Sequence, residues 1–343
     1  MARNTLSNST ATQNEQSSQQ KRTGFWSNMV RFLLGQREAS IIVVAIALVI
    51  YFQISNDAFL SSENLRTISQ FVAATAIIAA GEVMLLICGE IDLSVGQVFA
   101  LAPFIMNIAF QAGLPLWLGI ILGLLVCAGV GFINGIVTVW FKVPSLITTL
   151  GTLFLLTGVT LTISQGFPVL TPESGTFNEV MGHSPYSEII WAVGITIAIQ
   201  IVLSLTRWGL HTVATGGNLL GASETGINVN RIKIGNFMLA SILGGFAGIL
   251  EAFRITSIDP LAGGSDIMFA AVAGAVIGGT ALTGGLGTIV GAFLGTLVLS
   301  ILKDGFTLLG VSAFTFNLIL GGAILVAMIL NVRLRIWREA GRK

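Results

Sequence analysis

The chain has 343 residues, of which 54% are hydrophobic and only 10% charged, and its net charge is +1. A soluble domain carries about 25% charged residues, so this composition excludes a surface that meets water on all sides, and the near-zero net charge excludes a polyanionic partner such as nucleic acid. The 41 glycines suit helices that approach one another closely in a lipid bilayer.

Residues 1–38 read as a polar tail, rich in Asn, Gln, Ser and Thr from Asn4 to Gln20, followed by a basic lead-in with Lys21, Arg22, Trp26, Arg31 and Arg37. No A-x-A-like site follows Ile54, so the first apolar run is expected to be an uncleaved helix rather than a signal peptide. Apolar runs of bilayer length, about 20 residues each, then follow near 39–55, 66–88, 94–111, 115–140 and 144–165. Five more follow near 187–206, 233–255, 266–281, 286–303 and 308–331. The expected fold class is an all-α polytopic membrane bundle of about ten transmembrane helices over 39–332, ending in a basic tail at 333–343. Gly and polar residues interrupt the second-to-third pair and the eighth run, so short, broken or re-entrant segments are expected there.

With the N-terminus inside, all 17 basic residues except Arg66, Arg254 and Lys303 fall on the cytoplasmic side. Retention of Lys and Arg in the cytoplasm predicts that imbalance, so both termini are expected to be cytoplasmic. The outer connection 166–186 carries Glu173 and Glu179 but no Lys or Arg. Ile87-Cys-Gly-Glu-Ile-Asp-Leu-Ser-Val-Gly96 and Ile277-Gly-Gly-Thr-Ala-Leu-Thr-Gly-Gly285 each join two apolar runs, which suggests a parallel pseudo-repeat of spans 2–5 and 7–10.

Little in the chain points to catalysis. Only His183 and His211 are present, Cys88 and Cys127 sit in apolar runs as packing residues, and no Gly-Lys dipeptide exists to form a phosphate loop. No metal or cofactor is expected, and if ATP drives this protein another chain binds it. The G-x-x-x-G pairs Gly119/Gly123, Gly131/Gly135, Gly244/Gly248, Gly274/Gly278, Gly287/Gly291 and Gly291/Gly295 read as close helix packing, with a subunit interface as the sharper alternative.

Ionisable groups at membrane depth are costly and invite a functional reading. Glu82 and Glu251 lie inside spans, as either a polar cavity wall or interhelical bonds. Glu90 and Asp92 sit at the second-to-third turn, where Asp92 and Ser94 either satisfy a buried helix start, with Ser94 as its cap, or contact solute. The long inner segment 206–232 is broken by glycines, and Thr215 or Asn218 is expected to cap a short helix around 219–225.

Four ordered motifs resemble the ribose-type permeases of ATP-binding-cassette importers. These are Glu90-Ile-Asp-Leu-Ser-Val-Gly96, Val143-Pro-Ser-Leu-Ile-Thr-Thr-Leu-Gly151 (preceded by Asn134-Gly135), Ala214-Thr-Gly-Gly-Asn218 through Gly226-Ile227, and Val276-Ile-Gly-Gly-Thr-Ala-Leu-Thr-Gly-Gly-Leu-Gly287. The likeness covers roughly residues 40–332. It departs at Gly209-Leu-His-Thr-Val-Ala214, where the family usually reads G-R-x-x-Y-A, and at Gly221 and Thr225.

The resemblance implies a permease subunit in a bacterial inner (plasma) membrane that works with a second permease, identical or related. It also implies a cytoplasmic ATP-binding-cassette ATPase and a periplasmic sugar-binding protein. The segment 214–227 would then couple to the ATPase, through Gly216, Gly217, Asn218, Glu224 and Gly226. Capture by a binding protein leaves the pathway only weak, dispersed hydrogen-bonding groups to offer, expected from Asp92, Ser94, Asn134, Ser145 and Thr149. The rival readings are a stand-alone carrier or channel driven by an ion gradient through Glu82, Glu251 or Asp92, and a membrane-embedded enzyme.

Overall fold

The computed structural model describes residues 37–173 and 175–312, with scattered positions between 315 and 329. The predicted tail, the basic C-terminus and most of the tenth run lie outside the described residues. Those that are described form helices α1 (Arg37–Ser55), α2 (Ser62–Ile87), α3 (Val95–Gln111), α4 (Leu116–Val139), α5 (Ser145–Ser164) and α6 (Ser187–Leu205). They continue as α7 (Arg207–Gly217), α8 (Leu219–Glu224), α9 (Val229–Ile255), α10 (Gly264–Ile277) and α11 (Ile289–Leu308). Seven of these helices are long and apolar enough to cross a membrane, and α3 and α10 are shorter apolar helices. The ninth run is longer than the sequence suggested, because α11 continues to Leu308 before the turn at Gly310, which has φ +76°. The tenth run therefore starts later than 308.

Three helices are the most enclosed. In its most apolar stretch α2 is 78% buried, and α9 and α11 are 61% buried each, whereas α1 is peripheral at 17%. Small residues explain how α2 and α9 come so close: a Cβ on Gly81 of α2 would stand 2.7 Å from the Ala240 Cα of α9. Without a hydrophobic driving force between helices in lipid, such close backbone approach supplies the dispersion energy that holds them. The G-x-x-x-G pairs serve the same purpose within this chain. Gly119 and Gly123 of α4 lie on Met106 and Ala102 of α3, Gly131 and Gly135 on Phe237 and Ile234 of α9, and Gly244 and Gly248 on Val95 and Phe99. Gly274 and Gly278 of α10 meet Thr296 and Gly291 of α11. Of the other two pairs, Gly291 and Gly295 pack on α10, and Gly287 faces Thr280 and Ile87.

Where the runs are interrupted the chain turns back into the bundle and continues as the short helices α3 and α10. The side chain of Asn236, near the start of α9, lies 3.2 Å from Met84 O at the end of α2. Val95, which opens α3, instead faces Gly244, about 12 Å further along α9 at 1.5 Å per residue. Residues 88–94 thus turn back into the bundle, with Gly89 at φ +79° providing the reversal. After α9 the chain does the same from the other end: 257–263 dips inward and α10 starts beside α3, Gly96 lying against the backbone of Gly264.

The halves are related by inversion, not in parallel. α2 runs toward the end carrying α7 and α8, α9 runs away from it, and each is followed by a re-entrant turn and a short helix. α4 packs along α3 and α9, while α11 packs along α10 and α2. The two turns even share a local device. Asp92 Oδ1 accepts from Ser94 N at 2.8 Å, and Asp259 Oδ1 accepts from Leu261 N at 2.9 Å. In this arrangement Ile87–Gly96 does not correspond to Ile277–Gly285. Its counterpart is Ile258-Asp259 through Gly263, which aligns Ile-Asp and the following glycine with Ile91-Asp92 through Gly96. At the end away from α7, strands β1 (Val169–Leu170) and β2 (Ser257–Ile258) pair antiparallel, and Thr171 Oγ1 donates to Ala252 O at 2.7 Å. These bonds tie the 166–186 connection to the end of α9, with Glu173 and Glu179 exposed.

Candidate functional site

Three places carry polar chemistry: a buried cluster at the α2–α3 turn, an interlock at the α7–α8 end, and a cavity in the opposite half.

The cluster gathers Asp92, Ser94 and Asn134, each fully buried. Ser94 Oγ donates to Asp92 Oδ1 at 2.6 Å, and Asn134 Nδ2 donates to Ser94 Oγ at 2.9 Å. Thr152 Oγ1 donates to Asn134 Oδ1 at 2.6 Å, and Ser241 Oγ lies 3.5 Å from Asp92 Oδ2. Ser94 occupies the helix-cap position, but its side chain makes no capping bond; Asp92 holds the Ser94 amide instead. Ser145 Oγ is 3.4 Å from Ile91 N, and the Thr149 hydroxyl is spent on Ser145 O of its own helix at 2.8 Å. The five candidates thus stand around one turn, and none lines the cavity described below. Glu82 is fully buried beside them: its Oε2 is 3.5 Å from Asp92 N and its Oε1 has no partner among the described residues.

At the α7–α8 end, three of the sequence motifs meet. Gly285 N donates to Ile87 O at 2.8 Å, which joins the 278–288 loop to the end of α2. Gly216 is wedged between them, where a Cβ would overlap Ile87 O and stand 2.8 Å from Gly285 N. A Cβ on Gly217 would meet nothing. Asn218 ends α7 and caps α8, its Oδ1 accepting from Gly221 N at 3.0 Å. Gly217, Asn218, Glu224 and Gly226 are exposed, so of the five coupling candidates only Gly216 is half-buried.

Sequence reasoning missed Asn236 and Trp208 at this end. Asn236, an amide inside an apolar span, accepts from Trp208 Nε1 at 2.8 Å and reaches Cys88 Sγ at 2.9 Å and Thr212 Oγ1 at 3.2 Å, tying α7, α9 and α2 together. It also missed Leu219 and Leu220, 51% and 70% exposed on α8. They border a groove of about 630 Å³ with Lys142, Val143 and Lys233, and Lys233 is ion-paired with Glu90 at 2.5 Å.

The cavity encloses about 500 Å³, within the range of about 300–1,000 Å³ usual for small-molecule sites. It lies beside the first turns of the two half-length helices, contributed by Phe99 of α3 and by Gly263 and Asp266 at the start of α10. Half-helix N-termini at the core of a transporter bundle are a recurring setting for solute. Glu251 faces the cavity and makes a bidentate bond to Arg254, which also stands 3.4 Å from the buried Glu188. Glu251 is therefore a cavity wall whose own bonds stay within α9. Lys303 projects from α11, its ammonium 4.4 Å from the Phe71 ring centre. Gln70, Asp266 and Lys303 were missed as site residues. Their signal was present as charged or amide groups inside apolar runs.

The model of a family described as "Branched-chain amino acid transport system / permease component" matches residues 64–329. The chain is 40% identical over 301 residues to the xylose/arabinose import permease protein XylH of Sulfolobus acidocaldarius, covering 86% of this chain and 84% of that one. It is 34% identical to the ribose import permease protein RbsC of Escherichia coli, covering 88% of this chain and 94% of the relative. It is 31% identical to the autoinducer 2 import system permease protein LsrC of Photorhabdus luminescens, covering 90% and 93%. No solved structure matches. The match spans both inverted halves, the interlock and the cavity, and this multi-pass membrane protein belongs to the permease-component family of transport systems.

Proposed function

We propose that the chain is the transmembrane subunit of an ATP-driven importer that admits monosaccharides delivered by a binding protein. The observation that carries this reading is the 40% identity over 301 residues to a xylose/arabinose import permease, reinforced by ribose permeases of similar length. The α7–α8 end then faces the cytoplasm with both termini, and the ATPase docks on the 206–232 segment through exposed Leu219, Leu220 and Glu224. Docking there suits the chemistry, because two exposed leucines on a six-residue helix gain most from being covered. Hydrolysis is the work of that separate chain; this one conducts. A second permease subunit, identical or related, completes the pathway. The extracytoplasmic binding protein meets the 166–186 connection, where exposed Glu173 and Glu179 offer acidic contacts.

A detergent pull-down from the host membrane, read by mass spectrometry, tests this assignment. An ATPase subunit is expected to co-purify with the wild-type chain and to be lost with Leu220→Asp or Glu224→Lys. A chain that purifies without any ATPase, from membranes where it is functional, contradicts the reading.

A further inference from the structure

The cavity next to α3 and α10 is lined by four charged side chains whose signs cancel: Glu251 with Arg254, and Asp266 with Lys303. The first pair is self-satisfied, since Arg254 already serves Glu251 and stands near Glu188. The second pair is not. Neither Asp266 nor Lys303 enters an ion pair with any described residue, both are exposed, and both face the cavity. The other polar wall groups are neutral, among them Gln70 and Ser300, and Phe71 and Phe99 present apolar surface beside them.

We infer that this cavity is a reception site for one neutral monosaccharide, with Asp266 accepting from its hydroxyls, Lys303 donating to them, and Phe71 with Phe99 covering its C–H surface. The inference rests on the importer reading above and adds the place where the sugar is held. A carbohydrate hydroxyl both donates and accepts, so a lone carboxylate facing a lone ammonium matches a polyol without requiring the ligand to be charged. An anionic sugar gains no such match: its charge meets one free ammonium but also the Asp266 and Glu251 carboxylates. Contact between Phe71 and Lys303 keeps the ammonium over one aromatic face, at the cavity wall where a ligand in the cavity meets both groups side by side. Weak binding is expected, because the sugar must leave toward the other end within each cycle.

The test is ligand-detected saturation-transfer NMR on the purified full chain, with D-xylose, D-ribose and L-leucine as probes. Transfer to the carbon-bound protons of a sugar is expected and to leucine is not. Loss of one charged hydrogen-bonding group costs about tenfold in binding, so Asp266→Asn and Lys303→Met should weaken the sugar signal by that factor. Phe71→Leu should weaken it less. Asp266→Glu and Lys303→Arg, which keep the charge, should recover part of it; Leu155→Ala, exposed on α5 away from the cavity, should match wild type. Equal sugar transfer in wild type, Asp266→Asn and Lys303→Met overturns the proposal, as does preference for leucine. ATP-driven sugar uptake by the wild-type complex, measured in parallel, separates the two levels. Uptake that persists beside an unaffected signal removes the cavity site alone, and absence of sugar uptake removes the importer reading and the site with it.

Discussion

Asp92 performs a structural task that a polar residue in an apolar bundle rarely performs alone. It accepts from the Ser94 amide and hydroxyl, and Asn134 and Ser241 close around it. Deleting its carboxylate leaves those donors buried without partners, at about 1–3 kcal/mol. Asp92→Ala should therefore lower the midpoint of unfolding in detergent by several degrees, and Asp92→Asn, which keeps an acceptor oxygen, by clearly less. Equal losses would mean that the side chain's packing, not its acceptor, matters. Asp92, Ser94 and Asn134 stood out in the sequence as polar groups in apolar runs, expected along the solute pathway; that they bond to one another follows from the need of polar groups in lipid for partners. Thr152 and Ser241 did not stand out, since a lone hydroxyl on a helix commonly returns to its own backbone, as Thr149 does here. What periodicity does not give is depth: it marked these residues as polar within the bundle but not as sealed away from the cavity.

At the scale of elements, the interlock of α7 with the ends of α2 and the 278–288 loop joins the surface proposed for the ATPase to both inverted halves. Gly216 has to be glycine for this, since a side chain there would overlap the Ile87 carbonyl. Its neighbour Gly217 has open space. Gly216→Ala should cut ATP-driven uptake by about tenfold or more while the ATPase still co-purifies, because overpacking a close backbone contact costs about 1–3 kcal/mol. Gly217→Ala should leave uptake near wild type. Loss of uptake in both, or in neither, would contradict the interlock. The sequence showed three glycine-rich motifs as separate loops, and their meeting in space is a tertiary fact that no local pattern encodes. An interruption at 88–94 and near α10 was readable from glycines and carboxylates within apolar runs; whether the segments are short, broken or re-entrant was not. The inverted relation was harder to read. The matching Ile-Asp turns are brief, and the more repetitive 277–285 loop resembled the first motif by glycine content rather than by position in the fold.

For the molecule as a whole, length, composition and apolar spacing were sufficient for a polytopic helical bundle, because bilayer thickness sets helix length directly. The cavity was less legible, because its walls come from α2, α3, α9, α10 and α11 and its polar groups are scattered over four of them. On the proposed function, the same arrangement links the end where the ATPase would act to the cavity. α2 and α9 run the depth of the bundle, meet α7 at one end and border the cavity in the opposite half, so α7 is joined to both walls through continuous helices.

The most direct test of this account is uptake of labelled D-xylose or D-ribose into liposomes containing the chain with its co-purified partners. The account predicts uptake only when ATP and the ATPase are present on the α7–α8 side and the binding protein on the other. Uptake by this chain alone, without ATP and dependent on an ion gradient, would contradict it.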